Sequence, residues 1–278
     1  MKKWIALTLA LCTVFAFGAC TKTETDPVTS PVAEEPTGED TSWTYIEGNG
    51  KLVVGLDDTF APMGFRTEEG ELVGFDIDLA KAVGEEMGVE VEFKPIVWDA
   101  KEMELDGKKI DVIWNGMSKT PEREEKMNLS DAYFNNSIVI MTLADKPIST
   151  KDELVGKNIG TQAASAALEV IQADAIYGDI VDGLAEYDTY DEAVMDLDAG
   201  RLDAVIIDKV AGMYKATLKK DTYAFASEDF GEDLYVIGMR KGEDALLEKI
   251  NTALDAVIAS GKASEISNEW FGEDLVLR

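Results

Sequence analysis

The sequence predicts an α/β protein. Short apolar runs of strand length recur at 51–56, 110–114, 137–143 and 204–207. Amphipathic runs of helical length stand between them, as at 75–87 and 244–259. The two kinds of run alternate along the chain, the order that gives a sheet of mainly parallel strands covered by helices.

Residues 1–19 read as a signal peptide. Met1-Lys2-Lys3 supplies a basic start, 4–19 an apolar run short for a membrane span, and Gly18-Ala19 the small residues before a cut. Phe17-Gly18-Ala19-Cys20 resembles a bacterial lipobox, with cleavage before Cys20 and lipid on its sulfur; Phe17 stands where leucine is usual. Residues 20–47 then read as the lipidated cysteine and a flexible acidic tether, rich in Thr, Pro, Glu and Asp and too poor in large apolar side chains to offset ordering entropy.

The body follows in order. Strand 51–56 precedes helix 75–87, which stops at Gly88; strand 89–93 precedes helix 99–106, which stops at Gly107. Strand 110–114 ends at Asn115-Gly116, and residues 116–119 form a loop. Thr120-Pro121-Glu122 starts a helix, with a hydroxyl N-cap, proline at the first position and an acid in the first turn. Strands 137–143 and 157–160, helices 164–173 and 191–199, strand 204–207, helix 210–218, strand 234–239 and closing helices 244–259 and 263–270 complete the chain. One internal echo stands out. Residues 99–111 align without gaps on 191–203, with Asp99, Met103, Leu105, Asp106 and Asp111 matching Asp191, Met195, Leu197, Asp198 and Asp203. Either two βα units look alike by chance, or the chain holds two lobes built on one plan.

Composition removes several functions. The chain's 278 residues suffice for one large domain or two lobes with their own cores. Lys+Arg is 26 against 55 Asp+Glu, and the net charge of −29 argues against nucleic acid and anionic lipid. Loss of residues 1–19 removes two lysines and no acid, taking the charge to −31. Histidine is absent, and with it the commonest general base and zinc ligand. The two cysteines, Cys12 and Cys20, both lie near the N-terminus, so the body has no disulfide framework or cysteine metal cluster. Nothing calls for a metal or a cofactor.

Polar residues recur just beyond strand ends, where open α/β sheets bind ligands. They are Asp57 and Asp58, Asn115, Thr161 and Gln162, and Asp208. The loop at 116–119 and the helix start behind it favour an anion, and the planar fork of Arg123 suits a carboxylate. A surface arginine in a charged helix is the other reading. Asp208 either meets an ammonium or caps the helix that follows, and the two roles are compatible. Phe60 and Trp98 sit in loops after strands, as the faces of a slot or as loop packing. Together these groups match a zwitterion: carboxylate at Arg123, ammonium at Asp208, side chain between rings. That is a free α-amino acid.

With these residues in view, the chain resembles the polar amino-acid family, family 3, of bacterial extracellular solute-binding proteins, the capture components of ABC importers. The motifs are GLDDTFAPM from Gly55, GFDIDLA from Gly74, DVIWNGMSKTPER from Asp111, SDAY from Ser130, GRLDAVIID from Gly200 and EWFG from Glu269. The resemblance covers about residues 48–272. It implies an α/β, two-lobe periplasmic-binding-protein-like fold of type II with the ligand cleft between lobes. Lobe I would be 48–137 plus 232–278, and lobe II 138–231. It further implies that Arg123 and the backbone N–H of Ser118 hold the ligand α-carboxylate, and Gly116 and Asp208 its ammonium. Phe60 and Trp98 would sandwich the side chain; Asp57 faces it in binders of basic amino acids, and Asn115 and Met117 line the ligand side and vary. The second-lobe loop departs from the usual Gln-x-Gly-Ser/Thr-Ser/Thr. Ala164 replaces the glycine and Ala166 a hydroxyl residue, leaving the backbone N–H groups of Ser165 and Ala166 for the carboxylate. The implied partners are a free amino acid and ABC permease subunits, for a monomer held outside the cell through Cys20.

Binding without catalysis is the reading, because no histidine activates Ser118 or Ser165. A lyase or dehydratase on the same fold, working through a carboxylate of raised pKa, is the enzymatic alternative. A sensor subunit that presents ligand to a membrane receptor is the third. Asp57, Asp58 and Asn115 supply acceptors and no fixed positive charge, which leans the side chain toward a basic or amide group.

Overall fold

A computed structural model describes residues 39–278. The signal peptide, Cys12, Cys20 and the tether up to residue 38 lie outside the described residues. In chain order the strands are β1 (Lys51–Leu56), β2 (Thr59–Phe60), β3 (Gly64–Arg66), β4 (Leu72–Val73), β5 (Glu90–Pro95), β6 (Val112–Ser118), β7 (Met127–Leu129), β8 (Phe134–Leu143), β9 (Ile159–Gln162), β10 (Leu184–Tyr187), β11 (Ala204–Asp208) and β12 (Tyr223–Arg240). The helices are α1 (Ser42–Asn49), α2 (Phe75–Met87), α3 (Lys101–Asp106), α4 (Pro121–Lys126), α5 (Ala166–Ala173), α6 (Tyr177–Ile180), α7 (Tyr190–Asp198), α8 (Lys209–Leu218), α9 (Asp244–Ala259) and α10 (Lys262–Phe271).

The apolar runs assemble into one nine-stranded sheet in the order β10-β9-β11-β8-β12-β6-β1-β5, with β7 also on β12; β2, β3 and β4 form a small separate sheet. Its first half, β1 with β5 and β6, is parallel, and so is its second, β9 with β10 and β11. β6 and β11 are buried along their whole length, as central strands covered by helices on both faces must be. The halves are joined by β8 and β12, which run antiparallel to each other and to β11 and β6. The sheet is therefore mixed rather than mainly parallel, because both connecting strands return against their neighbours.

The sequence echo has a structural counterpart. α3 leads into β6 in the first half as α7 leads into β11 in the second. Leu105 and Leu197 are buried, while Met103 and Met195 face solvent. Asp111 accepts the backbone N–H of Val53 at 2.9 Å, and Asp203 that of Asn158 at 2.9 Å. Each acid returns its own N–H to the same residue's carbonyl, at 2.8 and 2.7 Å. One clamp, used twice in register, favours two units of one plan over chance.

Several boundaries differ from the sequence reading, the largest being the strand expected over 234–239, which spans Tyr223–Arg240. The strand expected to stop at Asn115 runs on to Ser118, so most of the expected 116–119 loop is strand. Gly116 takes φ 55, its N–H goes to Asp76 Oδ2 at 2.6 Å, and β12 absorbs the irregularity by shifting register between Val236 and Gly238. The helix expected from residue 164 begins at Ala166, because the Ser165 hydroxyl caps it by accepting the Leu168 N–H at 3.1 Å. The tether is shorter than 20–47: α1 occupies Ser42–Asn49, buries Ile46 and packs on α9, with Trp43 beneath the Lys249 ammonium at 4.9 Å. One buried residue makes no apolar stripe, so an acidic composition concealed this helix.

Candidate functional site

The polar strand ends converge on a tight cavity of about 20 Å³ between the two halves of the sheet. The first half contributes Asp57, Phe60, Trp98, Asn115, Gly116, Ser118 and Arg123; the second contributes Gln162, Ser165, Ala166, Tyr190 and Asp208. Met117 is the expected residue that does not line it. Its side chain turns into a separate core with Trp98, Leu105, Ile110, Ile113, Met127 and Val236. The turn at Gly116 and the shift in β12 re-aim this end of β6, and Met117 fills space above Gly238, where a Cβ would come within 2.6 Å of its Cε.

At one end lies Arg123, in the first turn of α4 and only 2% exposed. The turn is set by Thr120, whose hydroxyl accepts the Arg123 N–H at 3.3 Å. The guanidinium donates to the Ser118 carbonyl at 2.8 Å and, across the cavity, to the Ala164 carbonyl at 3.4 Å; Glu169 stands 3.4 Å away. A buried cation so partnered, with long second contacts, can exchange those for a carboxylate. The Ser118 hydroxyl donates to Asp233 at 2.9 Å.

At the other end lies Asp208, the last residue of β11. Its carboxylate makes no helix-cap bond. Instead Oδ1 accepts from the Tyr235 hydroxyl at 2.7 Å and from Asn136 Nδ2 at 2.8 Å. Burial first, and then the neighbouring Asp233 carboxylate, push the Asp208 carboxyl up to about 7. Burial also raises Asp233, against the hydrogen bonds of Asn136 and Ser118 and the charge of Arg123. An ammonium arriving here meets an acid poised to ionise for it. Beside it, Gly116 is fixed by the buried Asp76, which also takes the Tyr133 hydroxyl at 2.9 Å and is pushed up to about 7 by burial. A Cβ on Gly116 would stand 2.6 Å from Phe60 Cε1 and 3.0 Å from the Tyr235 ring.

Between the ends, the Phe60 ring faces Tyr190 at 6.0 Å and 35°, so the aromatic pair across the cavity is Phe60 and Tyr190. Trp98 lines the wall under the Lys101 ammonium. Asp57 does two things. Its Oδ1 accepts the Thr59 N–H and hydroxyl at 2.9 and 2.6 Å, capping its loop, and its Oδ2 takes Gln162 Nε2 at 2.9 Å from the other half. Burial raises its carboxyl. Asn115 Oδ1 accepts the Asp57 N–H at 2.9 Å, which leaves its Nδ2 against Gly64, buried and without a partner among the described residues. The Tyr190 hydroxyl is close enough to Asp208, Ser165 and Thr161 for each to act on its acidity, yet completes a hydrogen bond with no described residue. Asp58 pairs with Arg66 and Thr161 donates to the Ile206 carbonyl; neither lines the cavity.

The departures in the second-half loop acquire a physical meaning. Ala164 has φ 51, a left-handed conformation that glycine adopts freely and that costs an alanine about 1–2 kcal/mol. The Ser165 hydroxyl is committed to the Gln162 carbonyl at 2.7 Å and to its capping bond, leaving backbone N–H groups as the loop's donors toward the cavity.

Sequence reasoning missed Tyr190, Asn136, Asp233, Tyr235 and Lys101. For Lys101 a signal exists: the echo aligns it with Ala193, a fully buried position, so a charge there marks an unusual environment. For Asn136 and Asp233 none exists, because only strand pairing makes them neighbours.

A family model described as bacterial extracellular solute-binding proteins, family 3, matches residues 52–273. The L-cystine-binding protein TcyJ of Escherichia coli K12 is 30% identical over 232 residues, covering 83% of this chain and 86% of that protein. The L-arginine-binding protein of Pseudomonas aeruginosa is 32% identical over 231 residues, covering 80% and 88%. Among solved structures, a substrate-binding protein of an ABC uptake transporter from Streptococcus pneumoniae with bound histidine superposes with a TM-score of 0.83 at 36% identity, covering 86% of this chain and 99% of that one. The fold is the two-lobe fold of amino-acid-binding proteins, and the chain belongs to the bacterial extracellular solute-binding proteins, family 3.

Proposed function

We propose that this chain captures a free amino acid outside the cell and delivers it to an ABC importer. The observation that carries the reading is one small cavity holding a buried, exchangeable arginine at one end and a buried acid at the other. The named relatives bind cystine, arginine and histidine, which share only an α-carboxylate and an α-ammonium. The lining narrows the side chain: Asp57 and Asn115 stand in the cavity wall with no fixed positive charge beside Asp57, which favours a basic or amide group over an acidic one.

The proposed lobes, 48–137 plus 232–278 and 138–231, meet where Ser137 and Glu232 pair across β8 and β12, at a break in their register. Anchoring through Cys20 and a monomeric state belong to the same proposal. The test is calorimetry with histidine, glutamine, arginine, lysine and glutamate. One of the basic or amide amino acids is expected to bind tightest, and Arg123→Ala to cost roughly 2–5 kcal/mol for any of them. Tight glutamate binding with no response to the other four would overturn the side-chain reading; no binding at all would overturn the function.

A lyase is the second reading, favoured by the Asp208 carboxyl at about 7, which suits proton transfer near neutrality. It requires turnover of a small carboxylic acid by the purified protein. The neutral-pH acid is equally what an ammonium site needs, and Ser118 and Ser165 donate their hydroxyls to Asp233 and a backbone carbonyl rather than facing the cavity as nucleophiles.

A further inference from the structure

Lys101 begins α3, directly after the turn Trp98–Ala100, and is 3% exposed. Lysine is among the side chains least often buried, and a buried ammonium persists where its partners require it. Here its Nζ crosses the cleft to donate to the Ala164 carbonyl at 2.9 Å, with the stem lying so that the ammonium sits 5.0 Å over the Trp98 ring. The carbonyl it holds belongs to the residue at φ 51. A carbonyl and the following N–H share one rigid plane, so fixing the Ala164 oxygen fixes the direction of the Ser165 N–H, one of the loop's donors beside the cavity. Arg123 touches the same oxygen only at 3.4 Å, so Lys101 makes the shorter of the two bonds to it.

We propose that Lys101 is a positioning residue that fastens the 162–166 loop across the cleft and thereby sets how long a bound amino acid is held. The residence-time part rests on the amino-acid reading of the cavity; the fastening does not. The groups facing Lys101 are Arg123, Glu102, Glu169 and Asp99, with Glu122 also within its electrostatic reach. Burial, and then Arg123, bring its ammonium down to about 8, so its charge fades over a range in which arginine stays charged.

The variants are Lys101→Met, which keeps the stem on Trp98, and Lys101→Arg, which keeps the charge; thermal unfolding verifies that both fold. In ligand-free protein, amide hydrogen exchange over 163–168 should quicken in K101M and stay near wild type in K101R. With L-histidine as probe, or L-arginine where wild type takes no histidine, dissociation should be about tenfold faster in K101M, the loss of one charged hydrogen bond. From pH 7 to 9, dissociation should accelerate more in wild type than in K101R. Unchanged exchange in K101M overturns the fastening. Faster exchange with an unchanged dissociation rate, or identical pH profiles for wild type and K101R, overturns the link to residence time. Where wild type binds neither probe, dissociation is followed with whichever of glutamine, lysine or glutamate it binds; if it binds none, the amino-acid reading fails, and the exchange measurement alone judges the fastening.

Discussion

Asp208 answers to two opposed requirements, burial and charge. Its carboxyl sits at about 7 in the folded protein against an ordinary 3.8. Between those values the folded state keeps a proton that the unfolded chain has released, so this residue lowers stability as pH rises through the window and by a constant amount above it. Asp208→Asn removes that dependence. Without ligand, the variant's unfolding temperature should match wild type near pH 4 and exceed it at pH 8, while affinity for α-amino acids falls far more than for their deaminated analogues. A variant that tracks wild type at every pH would show that Asp208 ionises normally. Arg123, Asp208, Phe60 and Trp98 were legible because each follows a strand end or opens a helix, places that sequence marks with caps and breaks in periodicity. Asn136 and Asp233, 97 residues apart, were illegible because their contact is made by an antiparallel register that no local pattern encodes.

β6 shows why an element can be read correctly in kind and wrongly in extent. Asn115-Gly116 looks like a stop, yet the strand passes through because a remote acid, Asp76, takes the Gly116 N–H and β12 yields one register step. Gly116→Ala should therefore cost more than an ordinary glycine substitution. The new Cβ meets Phe60 at 2.6 Å, and φ 55 is unfavourable for any β-carbon. A destabilisation of about 1–3 kcal/mol is expected in chemical denaturation, together with weakened ligand binding, since Phe60 must move. Native stability and affinity would mean that β6 relaxes to an ordinary strand there. The α3–β6 and α7–β11 units were the most legible part of the fold, since the acid that clamps the neighbouring strand, Asp111 or Asp203, ends each repeated segment.

For the whole molecule, attachment is the first question. The described chain becomes helical at Ser42, so of the 30 residues between Cys20 and the first strand α1 takes 8. Cys20→Ser should release the protein to the medium or leave its signal uncleaved; membrane fractionation with normal cleavage would exclude the lipid anchor. The paired crossing of β8 and β12 has a further consequence, in time rather than in space. The second half closes within one uninterrupted stretch, whereas the first half draws β1, β5 and β6 from before it and the end of β12, α9 and α10 from after it. A chain that emerges N-terminus first displays α2 long before α9 and α10, which pack on it, exist. Through that interval Phe75, Leu79 and Trp114, all buried at the end, wait uncovered. The first half thus stays incomplete until the last residues are made, although every residue that lines the cavity has been made by Asp208.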